Sequence, residues 1–327
     1  MGNDNSSSRS NLSERAKKDI EEFKKKIDKG PDLKVNKSVV MFSSLTSTES
    51  LKQHYEKLQK EARDCTEDCI KNLAEKLAAF MLDPELAGLG ALAVAVLIEI
   101  ISSSSPKESV KEALRSVFAE EKASKVWNLI NECLKRYNMY IADRENLWKE
   151  IKGIEKQLSQ ALTDLKDSIV VNGHVSHQAV KIWVNGAAFH IQMLIHLERL
   201  GGTQNCDPIK NLIKEYKEDL DAVFKKHEEM IKGKCDFLND LSKCGFYAPP
   251  QFWDTYLLDE ESCGYLIGCG SSDQYIQAYY DERYGKQKSE IKKHFSEVEV
   301  NLLELIHQRG SLDIRRDRGK VQRRSRD

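Results

Sequence analysis

The sequence predicts a mainly α protein: an elongated helical bundle of long, heptad-patterned helices, with a small Cys/Tyr-rich irregular cap. Three observations carry that expectation. Charged residues make up 31% of the chain and apolar ones 40%, yet Pro occurs six times and Gly 17 times, so runs rich in Lys, Glu, Leu and Ala are seldom interrupted. Apolar residues recur at spacings of four and three over several stretches, which is the seam of a coiled coil. Helix-start signals stand at the head of those stretches: Thr46 with Glu49, Asp83-Pro84, Ser105-Pro106 with Glu108, and Asp207-Pro208.

Residues 1–12 are polar and small and are expected to form a disordered arm. Helical character follows in SERAKKDIEEFKKKIDKG and stops at Gly30-Pro31. A linker is expected from there to Thr46. The helix opened by the Thr46–Glu49 capping box carries Leu51, Tyr55, Leu58, Ala62, Cys65 and Cys69, continued by Leu73, Leu77 and Phe80. Asp83-Pro84 begins an apolar run that ends at Ser102–Ser105. A further start at Ser105-Pro106 leads into Val110, Leu114, Val117, Trp127, Ile130, Leu134, Tyr137 and Ile141, then Leu147, Ile151, Ile154, Leu158, Leu162, Leu165 and Ile169. VNGH, Val171 to His174, is a turn.

The helix predicted over 176–200 is apolar on most faces, which marks a buried element. Gly201-Gly202 ends it. Asp207-Pro208 opens the next, with Ile209, Leu212, Tyr216, Leu220, Val223, Phe224, Met230 and Ile231 inward, to Gly233. These elements make up a helical bundle over 13–233. Residues 234–285 then hold seven of the eleven Tyr, four of the eight Cys and the Pro-Pro pair, a composition that suits short strands and turns in an ordered cap. A last helix over 286–308 packs on the bundle through Ile291, Phe295, Val298, Leu302 and Leu305. The stretch 309–327 is a basic disordered tail.

Net charge is -1, but it is unevenly spread. The tail from Arg309 carries eight Lys/Arg against three Asp, so it is +5 and the rest of the chain mildly acidic. The tail therefore suits an anionic contact. Against nucleic acid stand its lack of interleaved aromatics and the acidic body. Arg315, Arg316, Arg318, Lys320, Arg323, Arg324 and Arg326 are the expected contacts to anionic lipid, at roughly 1 kcal/mol each.

At the other end, MGNDNSSSRS has no apolar core of a secretory signal and fits the N-myristoylation pattern, with Gly2 as acceptor and Ser6 in place. Acylation alone gives reversible binding of order 10⁴ M⁻¹, and a polybasic patch is the usual second signal. The expected location is cytoplasmic and peripheral to a membrane, with non-classical secretion as the alternative. Such a compartment keeps thiols reduced. The Cys-dense stretch after residue 230 also suits disulfides, and the sequence leaves both readings open.

The apolar run LAGLGALAVAVLIEII, Leu86–Ile101, has no charge before Glu99. Those first residues, Leu86 to Ile98, reach only about 20 Å, whereas a span needs about 20 apolar residues. Glu99 would add about 2.5 to 3.5 kcal/mol at the bilayer centre. A permanent span is therefore a poor fit. Gly88, Gly90 and the alternating alanines give a small-faced segment that allows close helix contact and weakens the helix. Leu86, Leu89, Leu92, Val94, Val96, Leu97, Ile98, Ile100 and Ile101 are the expected membrane-inserting residues.

No enzyme signature accompanies these features. Phosphate-binding loops, G-x-G-x-x-G, G-x-S-x-G and H-E-x-x-H are absent. His190 and His196 lie six apart and point in different directions on a helix. Cys65 and Cys69 share a face, but that face is the heptad seam, so they read as core thiols. The expectation is a non-enzymatic protein with no cofactor and no metal.

An apolar, conformationally ambiguous element between two long charged helices resembles the layout of α-helical pore-forming cytolysins over residues 46–308. More loosely, NGAAFHIQMLIHLERL and the Cys/Tyr-rich block from Lys234 are similar to helical cephalotoxin-like proteins. The resemblance implies a hidden tongue that meets lipid after a conformational change, and homo-oligomerisation. The Gly2 motif and the missing signal depart from secreted toxins. The competing expectation is a cytosolic scaffold, tethered by the acyl group, that docks helical protein partners through its heptad faces.

Overall fold

The computed structural model describes residues 14–27, 30–43, 53, 57, 121–140, 143–201, 205–239, 255–258, 264–267 and 272–307. The protein is mainly α, with helices packed on one another. In order the elements are α1 (Glu14–Lys24), α2 (Lys37–Ser43), α3 (Glu121–Tyr140), α4 (Arg144–Val170), α5 (His177–Gly201), α6 (Asp207–Lys234), β1 (Asp236–Asn239), β2 (Thr255–Leu258), β3 (Gly264–Ile267), α7 (Ser272–Tyr280), a π turn (Asp281–Gly285), α8 (Lys286–Val300) and α9 (Leu302–His307). The chain divides into two compact units. One is Asp32–Lys226 with Lys288–Asp327, the other Met1–Pro31 with His227–Gln287.

The larger unit is built around α5. Every residue from 179 to 193 is buried, as a helix apolar on most of its faces requires. It packs against α2, α3, α4 and α9. Gly186 sits where three helices converge: a Cβ there would lie 2.7 Å from Val126 Cγ1 on α3 and 2.8 Å from Leu162 Cδ2 on α4. The α4 seam Leu147, Ile151, Ile154, Leu158, Leu162, Leu165 and Ile169 is buried throughout, and so is Ile291, Phe295, Val298, Leu302 and Leu305 on α8 and α9. Asp143 caps α4, its side chain accepting from the Asn146 N–H, and Gly173 takes φ 73° in the turn that follows.

Ion pairs fix α6 against α8 in this unit. Lys217 meets Glu299 at 2.6 Å, while Asp221 meets Lys292 at 2.5 Å and Lys288 at 2.8 Å. Partner numbers fall as α6 numbers rise, so the two helices run antiparallel.

The expected linker before Thr46 contains a helix instead. Asn185 of α5 explains why. Its Oδ1 accepts from the Asn36 backbone N–H at 2.7 Å, and its Nδ2 donates to the Lys34 and Lys181 carbonyls at 3.3 and 3.0 Å. That staple sets the start of α2, and Leu33, Val35 and Val39 go into the core.

In the smaller unit, β1, β2 and β3 form an antiparallel meander, with Asp236 opposite Leu258 and Thr255 opposite Ile267. Helix α1 packs against α7 and β3, and Phe23 meets Tyr275 edge-on at 5.3 Å. Helix also begins earlier than expected, at Ser272 rather than at residue 286. Tyr275, Tyr279, Tyr280 and Tyr284 are all buried. Tyrosine composition suggests strand, but their spacing pairs them one helical turn apart, Tyr275 with Tyr279 and Tyr280 with Tyr284.

The π turn between α7 and α8 breaks the usual backbone ladder. The Gln287 side-chain amide repairs it, donating to the Arg283 carbonyl at 2.7 Å and to the Pro31 carbonyl at 3.1 Å.

Candidate functional site

The residues expected to act on membranes lie outside the described residues: Gly2, Leu86–Ile101, and the Arg315–Arg326 cluster. Cys65 and Cys69 lie outside them too. Among the described residues no helix is long and apolar enough to cross a membrane. Even α5, the most apolar, is interrupted by Lys181, Asn185, His190, Gln192 and His196.

The described residues assemble two buried polar centres. In the larger unit, His190 of α5 lies between Glu155 of α4 and Tyr216 of α6. Its Nε2 is 2.9 Å from Glu155 Oε1 and its Nδ1 2.7 Å from the Tyr216 hydroxyl. Burial pushes the Tyr216 phenol well above its ordinary range, and the nearby Glu215, Asp219 and Glu155 charges add to this. The phenol therefore stays protonated, and the hydroxyl and the carboxyl each engage one ring nitrogen of the imidazole. Trp183 packs edge-on against Tyr216 at 5.9 Å. His190 is 1% exposed and Glu155 17%. Both ring nitrogens are engaged, so the imidazole ties three helices together.

The second centre belongs to the smaller unit. His227 Nδ1 lies 3.1 Å from the Tyr280 hydroxyl, and its ring meets Tyr284 edge-on at 4.7 Å. Burial raises the Tyr280 phenol, with Glu228 and Asp281 contributing, so it stays protonated. Arg283 donates to the Tyr279 hydroxyl and stacks 5.0 Å from that ring and 5.7 Å from Tyr284. Gly30 passes directly over this stack: a Cβ there would fall 2.8 Å from Arg283 Nε and 3.1 Å from Tyr284 Cε1.

A third observation is a polar stripe on one face of α5, formed by Lys181, Asn185, Gln192 and His196. Gln192 is 1% exposed, and neither amide atom has a hydrogen-bond partner. Such a group costs about 1 to 3 kcal/mol.

Sequence reading missed all three. The His190 centre joins residues from three helices, and no local spacing announces it. The available signal was the presence of His, Asn and Gln inside an otherwise apolar helix.

Cysteine chemistry is muted where it is visible. Burial pushes the Cys133 thiol far up. Among the described residues no three His, Cys, Asp or Glu side chains are grouped to hold a metal. No protein-family model, curated protein or solved structure matches the chain.

Proposed function

We propose that the chain is a non-enzymatic helical protein that associates with membranes from the cytoplasmic side. Gly2 is its acyl anchor, Arg315–Arg326 its contact with anionic headgroups, and Leu86–Ile101 the element that inserts or oligomerises at lipid. Its architecture is of the pore-former kind.

The observation that carries this reading is the apolar run itself, too short and too interrupted for a permanent span, yet rich in glycine and alanine and set between strongly charged stretches of sequence. The fold supports it indirectly. The core of the larger unit has its own apolar axis, α5, enclosed by residues of α2, α3, α4, α6 and α9. The heptad seams on α4 and on α8–α9 are already used inside the chain, so these faces are not free to dock helical partners.

Dye release from vesicles of phosphatidylcholine and phosphatidylserine tests the reading. Wild-type protein is expected to release trapped dye, and the double substitution Val94→Asp with Leu97→Asp to abolish release while leaving binding intact. Tight binding with no release by the wild type would instead leave a membrane-tethered scaffold.

A further inference from the structure

The solvent-facing stripe of α8 and α9 changes character along its length. Helical hydrogen bonds continue across the junction, from Asn301 N–H to the Glu297 carbonyl at 3.0 Å and from Leu305 N–H to the Asn301 carbonyl at 2.9 Å. The stripe is therefore continuous: Lys293, Glu297, Val300, Leu303 and His307 are all exposed, at spacings of four and three. Its first part is charged. Its second part holds two of the large apolar side chains most exposed among the described residues, Val300 at 83% and Leu303 at 54%.

Single exposed aliphatics are ordinary; here two lie one turn apart on the same helical face. The opposite face of the same helices is fully committed, with Val298, Leu302, Leu305 and Ile306 in the core. Val300 and Leu303 are thus not a misplaced part of that seam.

We propose that Val300 and Leu303 form a shallow wedge that enters the headgroup region of an anionic bilayer. The inference rests on the membrane-associating reading above and names the surface that the folded body presents. Charge decides the occupant. The acids beside the wedge are neutralised by cations of the fold, Glu299 by Lys217 at 2.6 Å and Glu297 by Lys293 at 3.7 Å, and Glu304 is half-buried. Immediately after the stripe the sequence turns strongly basic, with eight Lys/Arg against three Asp from Arg309 onward. An apolar pair followed by a cationic segment matches a surface that is anionic outside and apolar just beneath, which is a bilayer leaflet rather than a protein groove.

The test is equilibrium binding of the full chain to phosphatidylcholine/phosphatidylserine vesicles and to phosphatidylcholine alone. Val300→Ser with Leu303→Ser is expected to weaken binding to the anionic vesicles about tenfold. The thermal midpoint should not move, because both side chains are exposed. A second variant, Val300→Trp, reports location: its emission minus that of the wild type is expected to shift to the blue on adding anionic vesicles. Unchanged affinity together with an unshifted tryptophan overturns the wedge while leaving the membrane reading standing. Failure of the wild type to bind either vesicle overturns both. Loss of self-association in the serine variant without any change in lipid binding assigns the pair to a contact between copies and likewise overturns the wedge.

Discussion

His190→Leu is expected to cost about 3 kcal/mol of unfolding free energy, the range for breaking a buried polar network by removing one partner. The substitution keeps an apolar side chain of similar size in the core. What it removes is both ring nitrogens, so the buried Tyr216 hydroxyl and the Glu155 carboxyl each lose their hydrogen-bond partner on the ring. The asymmetry of hydrogen bonding gives a check. Adding Tyr216→Phe deletes the orphaned hydroxyl and is expected to return about 1 kcal/mol. Chemical denaturation of wild type, single and double variants measures both terms. Equal stability of single and double variants would mean the phenol had found another partner.

The second large effect is on pH. Burial lowers the His294 imidazole from 6.5 to about 4, and the side chain is 7% exposed in the larger unit. A depressed folded value means that the unfolded chain binds the proton more readily. The stability tied to the neutral form is complete above pH 6.5 and is lost as pH falls toward 4. The slope is about 1.4 kcal/mol per pH unit, or about 3 kcal/mol across the window. His294→Met should flatten this part of the acid limb.

A separate, lower-lying loss involves Asp221. Burial raises its carboxyl, but hydrogen bonds and charge from Lys288 and Lys292 outweigh that and hold it below the usual range. Its contribution is present above the unfolded carboxylate value and disappears only at more acid pH, so the two losses separate along the titration.

How much of this could be read from residues alone depends on the distance over which each feature is encoded. The long helices were legible because burial repeats locally: the seam from Leu147 to Ile169 and that from Ile291 to Leu305 are buried as their spacing requires. So was the enclosure of α5, since a helix apolar on nearly every face has no other place. Helix α2 was not legible, because what starts it is Asn185, far away in sequence. The helical start at Ser272 was hidden behind tyrosine composition, and the π turn leaves no local pattern beyond Gln287 one turn after Arg283. The His190 centre needed three helices in contact before it existed. The membrane elements, Gly2, Leu86–Ile101 and Arg315–Arg326, are each encoded in a short local run, so single substitutions test their proposed roles.

Flotation of the full chain, produced with an N-myristoyltransferase, on phosphatidylserine-containing vesicles tests the membrane role most directly. Wild-type protein is expected to rise with the vesicles and Gly2→Ala to stay largely at the bottom of the gradient, since the basic tail and the shallow Val300–Leu303 contact supplement the acyl anchor rather than replace it. Wild-type protein remaining at the bottom, with an intact mass that includes the acyl chain, would contradict it.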